Sequence, residues 1–187
     1  MKQKIIVAVT GASGSIYAEV LLERLNLIKK QISSCSLILS ENAKKVWQYE
    51  LDNSEFNKYN FLFYENTDLF APPASGSSRF DIMIIAPCSM ATLGKIANGI
   101  SNNLITRAAD VMIKERQKLI LLTREMPLSP VHINNMKTLT DAGVIICPAS
   151  PSFYSKPVNI KQLIYTVVDK VLLLAGFSVN SFNWGEK

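Results

Sequence analysis

Short apolar runs alternate with segments of helical periodicity along most of this 187-residue chain. The apolar runs are residues 5–9, 36–39, 82–86, 119–123 and 144–147. The helix-like segments are residues 16–28, 41–51, 90–98, 103–115 and 132–142. A strand buried on both faces of a sheet forms a continuous apolar run, so this alternation predicts a doubly wound, mostly parallel sheet covered by helices. We therefore expect an α/β fold.

Two parts of the chain lie outside the alternation of apolar runs and helix-like segments, one before residue 82 and one at the end of the chain. Residues 52–78 carry a cluster of five aromatic side chains at positions 56–64, before a loop rich in proline, serine and glycine, and we interpret the segment as an excursion from the sheet. Residues 160–174 are amphipathic and predict a last helix, followed by a tail from about residue 177 to residue 187. The whole chain, residues 1–187, is expected to form one domain.

Composition narrows the class of partner. The formal net charge is +5, but the lysines and arginines are scattered, which favours small anionic ligands over nucleic acid.

The three cysteines are far apart and there is one histidine, so we expect buried free thiols and no metal site. No stretch has the pattern of a signal peptide or a membrane span. A cytoplasmic protein is expected.

The charged pair Arg124-Glu125 directly follows the apolar run at residues 119–123. Ligands of open parallel sheets bind at the edge where the carboxyl ends of the strands lie. An arginine beside a carboxylate at that edge could hold an anion and move a proton. The alternative is a structural ion pair at the end of a strand, and the pair alone does not decide between them.

Other strand ends also carry small polar residues. The turn at residues 10–15 (TGASGS) opens the first predicted helix and offers backbone N–H groups to an anion or a cofactor. It lacks the third glycine of the dinucleotide fingerprint, and Ser40 stands where that fingerprint needs an acidic residue. Ser89 begins a further helix, where it could bind a ligand or simply cap the helix.

Two cations share a face of the helix predicted at residues 103–115. Arg107 and Lys114 are seven residues apart beside an apolar stripe, so they could hold phosphate in a cleft or across a subunit interface. The alternative is ordinary pairing within the helix, such as Asp110 with Lys114. Near the last helix, Tyr154 and Lys170 could contribute to the same kind of site, whereas His132 is expected to be structural.

Taken together, several segments resemble the UbiX-like flavin prenyltransferases, which have a Rossmann-like flavoprotein fold. The match extends over nearly the whole chain in order and spacing. The matching segments are 11–14 (GASG), 75–77 (SGS), 87–89 (PCS), 106–110 (TRAAD), 114–116 (KER), 124–128 (REMPL) and 153–154 (FY).

The resemblance implies an enzyme that needs no metal and joins a dimethylallyl group, taken from dimethylallyl phosphate, to N5 and C6 of reduced FMN. Its product, prenylated FMN, is passed to UbiD-like decarboxylases. The family also implies a homo-oligomer, with a dodecamer as the expected assembly.

The resemblance assigns roles to individual residues. The flavin-binding residues that it implies are Gly11, Ala12, Ser13, Ser40, Ser89, Met90, Ala91, Thr92 and Arg124. Those implied for the prenyl phosphate are Arg107, Lys114, Tyr154 and Lys170, with Trp184 as a wall of the pocket. Proton transfer is assigned to Glu125, aided by Ser13 and Glu50. Two positions depart from the family pattern, since many relatives have lysine at Ala91 and arginine at Lys170.

Three other functions compete with this one. A flavin-dependent cysteine decarboxylase shares the fold but needs a catalytic histidine early in the chain, where this sequence has none. A nicotinamide-dependent oxidoreductase would need the complete glycine fingerprint. A flavin carrier without catalysis would need only the glycine and serine turns, and would leave the retained arginines, lysine and glutamate unexplained.

Overall fold

Six strands form one sheet in which every pair of neighbours is parallel. The computed structural model describes residues 2–182 and residue 185. The strands are β1 Gln3–Val9, β2 Ile32–Leu39, β3 Leu62–Glu65, β4 Ile82–Cys88, β5 Lys118–Thr123 and β6 Ile145–Pro148. The helices are α1 Ser15–Leu27, α2 Glu41–Leu51, α3 Met90–Ala97, α4 Leu104–Lys114, α5 Pro130–Asp141 and α6 Ile160–Ala175. The predicted doubly wound parallel sheet is confirmed.

The strand order in the sheet is β3-β2-β1-β4-β5-β6. From β1 the chain adds β2 and then β3 on one side of the sheet. It then crosses to the other side of β1 and adds β4, β5 and β6 in turn. The order therefore reverses between β1 and β4. In sheets of this kind, a crevice for ligands opens at the carboxyl ends of the strands, next to this reversal.

Two apolar layers cover the two faces of the sheet. Alternate side chains of each strand point to opposite faces, so Ile5 and Val7 pack with α1 and α6, while Ile6 and Ala8 pack with α3, α4 and α5. The side chains of these strand residues are almost completely buried. Consequently, α4 and α6 lie on opposite faces of the sheet.

The segment at residues 52–78 does not leave the sheet entirely, so that part of the expectation is wrong. Residues 62–65 form β3, which pairs with β2 and is the edge strand of the sheet. Residues 61–64 (FLFY) form an apolar run of strand length, but this run lies among further aromatic residues and no helix-like segment follows it, so it does not stand out in the alternation. Phe63 packs on Phe56 with ring centroids 5.6 Å apart, which joins the aromatic cluster to the edge of the sheet.

Polar caps determine where most helices begin. The N-cap side chain accepts a hydrogen bond from the first turn in every helix except α1. The cap residues are Ser40, Ser89, Asn103, Ser129 and Asn159. His132 completes a capping box with Ser129, in keeping with the structural role expected for it.

Candidate active site

The ends of β1 and β4 are joined at the point where the strand order reverses. The Thr10 hydroxyl donates a 2.7 Å hydrogen bond to the Pro87 carbonyl and accepts a 2.8 Å bond from the Ser89 N–H. Thr10 is buried, so these bonds lie in a setting where unpaired polar atoms are costly. They place the Gly11 turn beside the start of α3. Local sequence does not single out Thr10, because a threonine at a strand end is common.

Close packing also joins the Gly11 turn to the start of α2. A Cβ atom at Gly11 would lie 2.6 Å from the Cβ of Asn42, a distance that neither side could accept without moving. Ser40 caps this helix, its side chain accepting from Ala43 N–H at 3.1 Å. Three turns with small polar residues therefore meet at one edge of the sheet.

The N-terminus of α1 already holds an anion, the carboxylate of Glu50. The backbone N–H of Gly14 donates to it at 2.9 Å and that of Ser15 at 2.7 Å. Gly14 has φ 111°, a conformation that suits glycine. The sequence predicted that N–H groups of this turn would bind an external anion or a cofactor, but those of Gly14 and Ser15 bind the chain's own carboxylate.

These contacts alter the acidity of Glu50. Partial burial opposes ionisation, but hydrogen bonds from the Ser13 side chain and from the N–H groups of Ser15 and Gly14 outweigh it and lower the pKa of Glu50. Glu50 is therefore ionised near neutral pH. In that form it can accept a proton but has none to donate.

Replacing Glu50 by glutamine is expected to lower the free energy of unfolding by about 1 kcal/mol or less at neutral pH, because solvent screens a partly exposed carboxylate. Since the pKa is lower in the folded state, this stabilisation is complete above the ordinary value of 4.5 and is lost as the pH falls through the lowered value. Urea unfolding across that range should show the two proteins converging in acid. A difference that does not shrink as the pH is lowered below 4.5 would contradict this explanation. Glu55→Gln, at an exposed carboxylate, is the control.

Arg124 and Glu125 do not form an ion pair with each other. Among the described residues, the ion pairs involve other side chains. The Nε of Arg124 donates to the Ser13 carbonyl at 3.1 Å, so its guanidinium reaches the β1–α1 turn. Glu125 is exposed and accepts from the Met126 N–H at 3.2 Å. The alternative of a structural ion pair at the strand end is therefore wrong.

The two cations of α4 have partners on their own helix and in the neighbouring loop. Arg107 donates to the Ala74 carbonyl at 3.1 Å and pairs with Asp110 at 2.8 Å. Lys114 pairs with Glu115. The pairing of Asp110 with Lys114, which the sequence offered as an alternative, does not occur. All these side chains remain partly exposed, so the ion pairs are weak and could be exchanged for a bound anion.

Tyr154 and Lys170 line a cavity of about 840 Å³ beside the edge strand β6. The loop after β6, helix α6 and the chain beyond it enclose this cavity. Lys170 has no hydrogen-bond or ion-pair partner within residues 2–182 and residue 185. Trp184, expected to wall the same pocket, lies outside the described residues.

The four residues expected to bind the prenyl phosphate are thus divided between two places. Helix α4 begins beside Asn66, whose carbonyl accepts from the Leu104 N–H at 2.8 Å, and packs on one face of the sheet. Helix α6 packs on the other face. The sheet separates Arg107 and Lys114 from Lys170, and one copy of the chain does not bring them together.

Among residues 2–182 and residue 185, no helix is both long and apolar enough to cross a membrane. In the same part of the chain, no three His, Cys, Asp or Glu side chains are grouped so as to hold a metal ion.

Comparison with known proteins places these features in a family. The family model described as Flavoprotein matches residues 1–172. The chain is 48% identical over 185 residues to the flavin prenyltransferase UbiX of Methanocaldococcus jannaschii, with 97% of this chain and 98% of the relative covered.

Solved structures agree with the sequence relatives. The crystal structure of AnUbiX in complex with FMN and dimethylallyl pyrophosphate superposes with a TM-score of 0.90 at 38% identity, covering 100% of both chains. A dodecameric FMN-dependent UbiX-like decarboxylase from Escherichia coli gives a TM-score of 0.93 at 36% identity, covering 98% of this chain and 100% of the other.

Proposed function

Since this chain belongs to the family of UbiX-like flavin prenyltransferases, we propose that it transfers a dimethylallyl group from dimethylallyl phosphate to N5 and C6 of reduced FMN. The observation that carries this function is the convergence of Arg124 with the β1–α1 turn, beside an exposed Glu125 that no arginine neutralises. This arrangement combines a cation for an anionic ligand with a carboxylate for proton transfer.

The residues at the carboxyl edge suit FMN. The turn after β1 and the first turns of α2 and α3 present hydroxyls and backbone donors together, a donor set appropriate to a phosphate and a polar ring system. We assign FMN to Gly11, Ala12, Ser13, Ser40, Ser89, Met90, Ala91, Thr92 and Arg124. When bound, reduced FMN supplies the two ring atoms that are alkylated.

Arg124 and Glu125 have separate tasks in this proposal. Only Nε of Arg124 is engaged among the described residues, so its two terminal nitrogens remain for an anionic group of a ligand. The Glu125 carboxylate takes and returns the protons that ring closure and phosphate departure require. Glu50, held as an anion by Ser13, Gly14 and Ser15, assists as a proton acceptor.

The prenyl-phosphate site is proposed to need two copies of the chain. Arg107 and Lys114 lie on the α4 face of the sheet, whereas Tyr154 and Lys170 line the cavity at α6. If all four contact one phosphate, the α4 residues come from a neighbouring copy. The need for a second copy agrees with assembly into a homo-oligomer, and the dodecameric UbiX-like relative suggests a dodecamer. Cations around the phosphate then favour departure of phosphate from the allylic carbon.

A flavin carrier is the less suitable alternative. It gives no role to the α4 cations, to Lys170 or to an unpaired Glu125 beside the flavin turn. We also propose that the enzyme acts in the cytoplasm, where its product passes to a UbiD-like decarboxylase.

The decarboxylase partner offers a functional test. A UbiD-like decarboxylase purified without its cofactor should gain activity when incubated anaerobically with this protein, reduced FMN and dimethylallyl phosphate. Omission of any one of the three should leave the decarboxylase inactive. Activation without dimethylallyl phosphate would point to a flavin carrier instead.

A further inference from the structure

The cavity beside α6 has an uneven balance of charge. Of the described residues that line it, only Arg24, Asp169 and Lys170 are charged, which gives the lining a net charge of +1. Lys170 is the cation of this cavity that is assigned to the prenyl phosphate, whereas Arg107 and Lys114 lie on α4. Asp169 is next to it in the chain and carries the opposite charge, so the availability of Lys170 depends on how Asp169 is neutralised.

Arg24 is the partner of Asp169. Its Nε and Nη2 both lie 2.7 Å from Oδ1 of Asp169, although the two residues are 145 positions apart in the sequence. Both side chains are largely buried, 19% and 11% exposed, so solvent screens the pair weakly. Burial raises the pKa of Asp169 above its ordinary value, and the hydrogen bond and charge of Arg24 offset part of this rise.

We propose that Arg24 is a positioning residue for the prenyl-phosphate site: it neutralises Asp169 and so leaves the charge of Lys170 available to phosphate. The inference rests on the proposed function for the identity of the phosphate ligand. The charge balance of the cavity follows from its lining residues alone. Without Arg24, an ionised Asp169 would reduce the net charge of the cavity lining to zero. Phosphate would then lose the favourable field that the cavity now provides.

Arg24 also contacts the chain after α6, and this second role can be separated from the first. Its Nη2 donates to the Asn180 carbonyl at 3.1 Å. Gln31 holds the same part of the chain by exchanging two hydrogen bonds with Ser178, at 2.8 and 2.9 Å, but adds no charge to the cavity. Gln31→Ala is therefore the matched control for a loss of anchoring.

The test is calorimetric binding of dimethylallyl phosphate to the intact protein near pH 8, a measurement that needs no turnover. The single variant Arg24→Met should raise Kd about fivefold or more, because one nearby unit charge is lost. The double variant Arg24→Met/Asp169→Asn restores the net charge of +1, and its Kd should return to within about twofold of wild type. Asp169→Asn alone should bind as well as wild type or better. Arg24→Lys, which keeps the charge, should bind nearly normally.

These variants separate the possible explanations. A purely structural role for Arg24 would leave the double variant as weak as Arg24→Met, or make Gln31→Ala equally weak, and either result would overturn the proposal. If Arg24→Met does not fold, the double variant still decides, since it leaves no buried charge without a partner. The order of the Kd values does not depend on whether the wild-type protein alkylates FMN. Failure of this inference would therefore appear in the Kd values, and failure of the proposed function would appear in the turnover assay.

Discussion

Replacing Glu125 by glutamine is expected to reduce the rate of prenyl transfer by about 10²–10⁴-fold while FMN still binds. Glutamine keeps the size of the side chain and can still accept a hydrogen bond from the Met126 N–H, but it cannot take up and return a proton. Because Glu125 is exposed and forms no ion pair with Arg124, the substitution removes no pairing that holds the strand end.

The rate should be measured anaerobically under single-turnover conditions, and FMN affinity by titration. Glu55→Gln serves as the control, since Glu55 is also an exposed glutamate but lies in the segment before β3, away from the β5 end. An unimpaired rate for Glu125→Gln would remove Glu125 from the mechanism. A loss of FMN binding in parallel with the rate would assign it to flavin binding.

Lys114→Ala and Lys170→Ala are each expected to lower kcat/KM by about 10–100-fold, the usual effect of losing one charge-assisted hydrogen bond to phosphate. The two lysines lie on opposite faces of the sheet in one chain. If they serve the same phosphate, each site takes Lys114 from one copy and Lys170 from another. The two variants should then complement each other.

The complementation has a quantitative outcome. When the two variants are co-expressed and mix at random in a symmetric oligomer, about one quarter of the sites receive both lysines intact, and activity should recover to about one quarter of wild type. Two variants that assemble separately should keep the low activity of the single variants and provide the control. If both lysines came from the same chain, every site in the mixed oligomer would lack one of them, and no activity would return.

The layers of the fold could be predicted because buried parallel strands and amphipathic helices leave strong periodic signals. Helix α2 begins and ends where the sequence predicts it, at residues 41–51. Strand β3 was missed although residues 61–64 (FLFY) form an apolar run of strand length. Other aromatic residues precede this run and no helix-like segment follows it, so it does not stand out as a member of the alternation, and its pairing with β2 identifies it as a strand.

The position of the candidate site in the fold could be predicted where it depends on short local motifs, and much less so where residues distant in the sequence meet. The small polar turns after β1, β2 and β4 and the pair after β5 all lie at the carboxyl edge that the alternation implies. Nothing in the local sequence links Glu50 to the N-terminus of α1, or Arg24 to Asp169. Those contacts depend on how helices pack against one another, and one sequence carries no signal for them.

The central claim, that this protein alkylates reduced FMN, is tested most directly by the mass of the flavin. The protein should be incubated without oxygen with FMN, a reductant and dimethylallyl phosphate, and in parallel with the diphosphate, and the extracted flavin analysed by mass spectrometry. We predict that the flavin gains one prenyl unit with at least one of the two donors. Flavin that binds to the protein but keeps its original mass with both donors would contradict the account and favour a flavin carrier.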